Sequence, residues 1–235
     1  MSKQIMTIGH RGAKGHEPEN TIASFEKAIK LGCDYVELDV HLADGELFVI
    51  HDSSVDRTTN GSGKIAELTR EQIESLDAGN GQKIPTLSEV LAFINGRCGV
   101  NIELKGAGTA GPVCDLLNTL LNRSNLSSPI LISSFDYREL DEVDKKFRRG
   151  LLFDKIRDDW IELARNYSSW SVNLPYKTVS LDNIQKAHLE GFRVLVYTVN
   201  DPNDMKKLLS LGVDGIFTDF PDRLLDAITS GEKND

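Results

Sequence analysis

No apolar run in this 235-residue chain is long enough to span a bilayer. The opening MSKQIMTIGH also lacks a charged region followed by a long apolar stretch, so the sequence carries no sign of export or membrane insertion. Cysteine is scarce. Cys33, Cys98 and Cys114 form an odd set without C-x-x-C spacing, which argues against a disulfide framework and a thiolate metal site. They read as small apolar side chains in a reducing, cytoplasmic setting. Basic residues are outnumbered, 27 against 36 acidic for a formal charge of −9, and cluster on no segment. General attraction to nucleic acid or an anionic membrane is thereby excluded, and any affinity for phosphate must be local. What is present, 40% hydrophobic and 27% charged residues, suits a globular chain able to bury a sizeable core. We expect residues 1–235 to form one domain, with only the tail SGEKND as a frayed end. Nothing indicates an oligomeric state.

From about residue 98 onward, short β-rich runs alternate with segments of helical apolar spacing. GVNIEL, PILISS, RGLLF, WSVNL, FRVLVYTV and DGIFT are the candidate strands; VCDLLNTLLNR, YRELDEVDKKF, LDNIQKAHLEG and PNDMKKLLSLG are among the candidate helices. Strand then helix, repeated, means a parallel sheet. Two earlier strands, QIMTIGH and DYVELDV, flank the helix TIASFEKAIKLG, with Ile22, Phe25 and Ile29 on one face and Gly32 suited to its C-terminal cap. Eight strand–helix units predict an α/β fold, a slightly compact TIM (β/α)8 barrel, over the alternative of a doubly wound open sheet. The interval after DYVELDV is about twice as long as the later repeats. It contains a further β-like run, ELFVIHD, a glycine-rich turn, TTNGSGK, and two helical patterns. This predicts a small insertion after strand 2, at about 44–85, of the kind that tends to be functional.

Strand alternation then selects the chemistry. In DYVELDV, Val36, Leu38 and Val40 point one way and Tyr35, Glu37 and Asp39 the other; in GVNIELK, Val100, Ile102 and Leu104 oppose Asn101, Glu103 and Lys105. With the apolar set packed on the outer helices, Glu37, Asp39, Glu103 and Lys105 face the barrel axis near the C-terminal strand ends, where barrel enzymes place their active groups. Converging carboxylates need a compensating cation. Lys105 and Arg11 supply part of it, so an all-protein ion-pair cluster is one reading. The other is a hard divalent cation, Mg²⁺ or Ca²⁺, held by oxygen ligands.

His10 ends the first strand and His51 ends ELFVIHD. Two imidazoles on opposite sides of a phosphoester suit acid/base cleavage, one removing a proton from the attacking oxygen and the other protonating the leaving oxygen. His16, His41 and His188 belong to no second pattern and read as structural, His188 near a helix C-terminus. Arg11 offers a fork of donors to phosphate or an ion pair to Glu19. Glycines 9, 12 and 15 would let the backbone approach a ligand or serve as ordinary loop residues, and they form no nucleotide-binding fingerprint. Asn20 or Thr21 caps the first helix.

HRG with PENT downstream, E-x-D, HD with R-T-x-x-G-x-G, I-E-L-K, SSFD, RDDW, VYTVND and TDFPD occur in an order that resembles the glycerophosphodiester phosphodiesterase family over nearly the whole chain. In length and in RDDW the chain looks most like the short cytosolic bacterial branch. The resemblance implies a TIM barrel hydrolysing small-molecule substrates, glycerophosphodiesters such as glycerophosphocholine or glycerophosphoethanolamine, to glycerol 3-phosphate and an alcohol. It places a metal on Glu37, Asp39 and Glu103, the acid/base pair on His10 and His51, phosphate contacts on Arg11 and Lys105, and an aromatic lining on Phe135. Tyr197 stands where many relatives have tryptophan, in the pocket wall. The chemistry implied is attack of the glycerol 2-hydroxyl on phosphorus to give a cyclic phosphate that water opens. The sequence does not assign acid and base; His51 as base and His10 as acid is the working assignment.

Overall fold

The structure, a computed structural model, describes residues 5–231. These residues form nine strands and nine α-helices, in the order β1 (Met6–Gly9), α1 (Ile22–Leu31), β2 (Tyr35–Ala43), β3 (Glu46–Val49), α2 (Arg70–Ser75), α3 (Leu87–Ile94), β4 (Gly99–Leu104), α4 (Ala110–Asn122), β5 (Ile130–Ser134), α5 (Tyr137–Glu142), β6 (Arg148–Leu152), α6 (Trp160–Asn166), β7 (Ser171–Pro175), α7 (Leu181–Leu189), β8 (Arg193–Tyr197), α8 (Pro202–Leu211), β9 (Gly215–Thr218) and α9 (Pro221–Gly231). All strands but β3 are parallel and close into a ring, since β1 pairs with both β2 and β9. This is a TIM barrel, and the open-sheet alternative falls because no barrel strand is left with a free edge. Ser230 and Gly231 of the tail lie in α9; residues 232–235 are outside the described residues.

The alternation in β2 and β4 sorts their side chains as the sequence requires. Val36, Leu38, Val40, Val100, Ile102 and Leu104 join the layer beneath the helices. Tyr35 turns inward with Ile8, Leu131, Leu195 and Phe217 to fill the lower barrel. Helix ends are set locally. Thr21 caps α1 by accepting from the Ser24 N–H, and Gly32 closes it in the left-handed conformation, φ 94°. The three cysteines are free and buried. No helix among the described residues is long and apolar enough to cross a membrane.

β3 lies outside the ring, antiparallel to the end of β2, with Val40 opposite Val49. The segment that follows has its own core around Phe48, Ile50, Val55, Ile65 and Ile73. Phe48 is fully buried there, and burying such a side chain contributes about 1.5–3 kcal/mol. The segment is therefore packed rather than draped, and it holds His51 at the barrel mouth. Two contacts fix that position: the Ile50 N–H donates to the Asp39 carbonyl at 3.0 Å, and His41 Nε2–H to the His51 carbonyl at 3.1 Å.

Candidate active site

The pairing register places the acids. Asp39 lies beside Glu103 across the β2–β4 pair, and Glu37 sits one inward position below Asp39. One carboxylate oxygen from each of Glu37, Asp39 and Glu103 lies within 4.8 Å of the others. Glu37 and Asp39 are 2% and 1% exposed, so water screens neither. Cations only partly compensate. Lys105 Nζ donates to Glu103 at 2.7 Å and stands 3.6 Å from Asp39. Arg11 Nε is 3.3 Å from Asp39, while its Nη1 donates to Glu19 at 2.6 Å. Glu37 receives only the Arg11 backbone N–H, at 2.8 Å, and its Oε1 is buried without a hydrogen-bond partner among the described residues.

The ion-pair cluster thus leaves one carboxylate uncompensated. Burial, with Asp39 and Glu103 nearby, drives the Glu37 carboxyl well above its usual range. Burial and Asp39 likewise push Glu103 up to about 7. Arg11 and Lys105, which burial alone would lower, are raised by the same acids and stay charged. An orphaned buried carboxylate oxygen in an all-oxygen donor set is what a hard divalent cation fits. The buried triad of Glu37, Asp39 and Glu103 is able to bind such an ion.

A stability dependence follows. A carboxyl whose folded pKa exceeds its unfolded value of about 4.3 binds protons more tightly when folded. Between there and about 7 the metal-free protein loses stability as pH rises, because Glu103 must ionise beside Asp39. Calorimetry at low ionic strength is expected to show this contribution as a Tm that falls from pH 5 toward 7.5, and a divalent cation is expected to raise Tm more at pH 7.5 than at pH 5.

Two histidines flank the acids, each held by a carboxylate. His10, just past β1, has Nδ1 2.7 Å from Asp219 Oδ1, just past β9. Asn200 fixes that aspartate from two sides, donating from Nδ2 to Oδ2 at 2.8 Å and accepting its backbone N–H at 2.9 Å. His51 has Nδ1 2.6 Å from Asp52. Burial lowers the His51 imidazole below its usual value despite Asp39 and Asp52. Arg57 joins the halves, donating to both oxygens of Asp52 and to both oxygens of Glu19, the partner of Arg11. On the far wall Phe135, 43% exposed, meets Tyr197 edge-on at 6.0 Å between ring centres, and the Tyr197 hydroxyl donates to the Phe153 carbonyl.

Known proteins resemble this chain in sequence and in fold. The sequence profile of the Glycerophosphoryl diester phosphodiesterase family matches residues 10–223. The chain belongs to that family. It is an enzyme of the class, a phosphoric diester hydrolase. A glycerophosphodiester phosphodiesterase of Caldanaerobacter subterraneus is 36% identical over 97% of this chain and 99% of its own length. One from Bacillus subtilis is 32% identical over 93% of this chain and 85% of its length. Among solved structures, an Oleispira antarctica phosphodiesterase in complex with the product sn-glycerol-3-phosphate superposes with a TM-score of 0.89, at 30% identity, covering 95% of this chain and 96% of that one.

In this phosphodiesterase the sequence-derived residues His10, Arg11, Glu37, Asp39, Glu103, Lys105, Phe135 and Tyr197 do gather at one end of the barrel, and His51 reaches them from the β3 segment. The sequence pattern does not single out Asp52, Arg57, Asn200 and Asp219, although each lies in a motif that carries the resemblance; an acid just past a strand's C-terminal end, as at Asp219, is the signal available. The cap expected at Asn20 or Thr21 is present. Thr21 is the cap, and Asn20 Nδ2 donates to Asp39 at 2.9 Å. Glycines 9, 12 and 15 serve the protein's own packing. A Cβ at Gly12, φ 83°, would lie 2.4 Å from Ser24 Oγ, and one at Gly15 2.3 Å from the Phe220 ring. His16 and His188 pair with Asp222 and Asp214, away from the acids.

Proposed function

We propose that this phosphodiesterase hydrolyses glycerophosphodiesters such as glycerophosphocholine or glycerophosphoethanolamine to glycerol 3-phosphate and the alcohol, in the cytoplasm. A Mg²⁺ or Ca²⁺ ion would be held by Glu37, Asp39 and Glu103. The observation that carries the reading is the pair of aspartate-held imidazoles beside the acidic triad. With Nδ1 of each engaged by a carboxylate, Nε2 of His10 and of His51 is the nitrogen left to exchange protons; neither has a partner among the described residues.

When bound, the cation supplies Lewis-acid polarisation of a phosphoryl oxygen and acidifies a nearby hydroxyl. Arg11 and Lys105 bind the remaining phosphoryl oxygens and orient phosphorus. His51, whose lowered basicity keeps it neutral near pH 7, takes the proton of the glycerol 2-hydroxyl at Nε2 as that oxygen bonds to phosphorus. His10 gives its Nε2 proton to the departing alcohol oxygen as the phosphorus–oxygen bond breaks. The roles then reverse. His10 takes a proton from water as the water oxygen bonds to phosphorus, and His51 returns its proton to the 2-oxygen, opening the cyclic phosphate.

Asp219 holds His10 at Nδ1 and so aims its Nε2. Asp219→Asn is expected to lower kcat by about 10–100-fold with KM nearly unchanged. Phosphorus NMR of a glycerophosphocholine digest tests the whole reading. Glycerol 3-phosphate with free choline, preceded by a cyclic phosphate, is the expected outcome; phosphocholine with glycerol, or no turnover with metal present, would overturn it.

A further inference from the structure

Arg57 lies on the segment after β3 and lines no part of the pocket beside the acids. Both carboxylates it holds are nevertheless partners of reacting groups. Its Nε and Nη2 donate to Asp52 Oδ2 and Oδ1 at 2.6 and 3.1 Å, and its Nη1 and Nη2 to Glu19 Oε2 and Oε1 at 2.9 and 2.8 Å. Four of the five guanidinium N–H donors are thereby used on two acids. The Asp52 oxygen that faces His51 Nδ1 is Oδ1, and the Glu19 oxygen that accepts from Arg11 Nη1 is Oε1. One nitrogen, Arg57 Nη2, therefore bonds both oxygens on which the imidazole and the phosphate-facing arginine are hung.

The Arg57 side chain is 47% exposed, and ion pairs at that exposure contribute little to stability. What the fork does supply is direction. A planar guanidinium fixes the angle of each carboxylate as well as its distance, which an ammonium cannot do. Burial would raise the Glu19 carboxyl, but Arg57 and Arg11 hold it down at about 2, and Arg57 holds Asp52 below its usual range. The bridge is thus ionised wherever an imidazole titrates. Without Arg57 neither acid is fixed. Asp52 would keep His51 alone among its side-chain partners in the described residues, and Lys14 Nζ, 3.9 Å from Glu19 Oε2, would compete for the other acid.

We propose that Arg57 is a positioning residue for the reaction, setting the aim of the His51 imidazole and the place of the Arg11 guanidinium through one rigid fork. This rests on the roles given to His51 and Arg11 above. The segment after β3 then does more than deliver an imidazole to the barrel mouth. It fixes the spacing between the base that activates the attacking hydroxyl and the guanidinium that orients phosphorus.

Steady-state kinetics on glycerophosphocholine, with metal present, test this. Arg57→Ala is expected to lower kcat by about tenfold and raise KM by about tenfold, since a misplacement of about 1 Å costs about 100-fold. Its Tm should fall by no more than about 4 °C. The two effects should separate, Asp52→Ala reproducing the loss in kcat and Glu19→Gln the rise in KM. Free guanidinium should restore kcat/KM of Arg57→Ala by about tenfold, and ammonium at the same concentration should not. Arg57→Lys keeps the charge without the fork and should remain as impaired as Arg57→Ala; it carries the comparison if Arg57→Ala fails to fold. Near-native constants in either variant, or a loss matched by a large fall in Tm and unmoved by guanidinium, would overturn the positioning role. Absence of glycerol 3-phosphate from the wild type would instead overturn the phosphodiester reading, and the positioning role with it.

Discussion

Alanine at His51 is expected to lower kcat on glycerophosphocholine by about 10³-fold, and alanine at His10 by a similar factor, with divalent-cation binding retained in both. General acid or base catalysis by one positioned group supplies typically 10²–10⁴-fold, and in the proposed reaction each imidazole acts in both halves, so the upper part of that range applies. Neither side chain belongs to the carboxylate triad, which is why metal affinity should survive. Both imidazoles lie on partly exposed rims and are held by one aspartate each, so their removal opens no large buried cavity. The variants should therefore fold. The double variant should fall little below the lower single one, because two groups that pass a proton in turn fail together. A His51 variant with near-native turnover would mean that the attacking hydroxyl is deprotonated elsewhere.

Glutamine at Glu37 has the second large expected effect, of opposite sign in two measurements. Glu37 is buried, its Oε1 has no partner, and its carboxyl is held well above the usual range by burial and by Asp39 and Glu103. Removing that charge relieves a repulsion, so the metal-free Glu37→Gln protein should melt at the same temperature as the wild type or above it at pH 7.5. The amide keeps the acceptor for the Arg11 N–H, which limits any structural loss. Affinity for Mg²⁺ or Ca²⁺ should nevertheless drop by about 100-fold or more, and the rise in Tm on adding the ion should vanish. A variant less stable in both states would point to a structural carboxylate instead.

The sequence pattern reveals the barrel and the acids because both repeat at short range. A period of two in DYVELDV and GVNIELK puts acidic residues where a barrel strand has only the axis to face, and that is legible without any contact information. The partners of the histidines are not legible in the same way. Asp219 is 209 positions from His10, and Arg57 is 38 from Glu19; no local period links them, and only ring closure brings β1 beside β9. The turn after β1 is hidden for another reason. Arg11 adopts a left-handed backbone, φ 51°, that arginine does not signal, while nearby glycines that suggest room for a ligand are filled by Ser24 and Phe220. The β-like run of ELFVIHD is visible, but its antiparallel pairing outside the ring depends on the turn at Asp44 and Gly45, both at positive φ.

The most direct test of a carboxylate-held cation serving two histidines is the rate of glycerol 3-phosphate release from glycerophosphocholine by the stripped enzyme, before and after Mg²⁺ or Ca²⁺ is restored. The account predicts turnover at background without the ion and full recovery at one ion per chain. Unchanged turnover after complete chelation would contradict it.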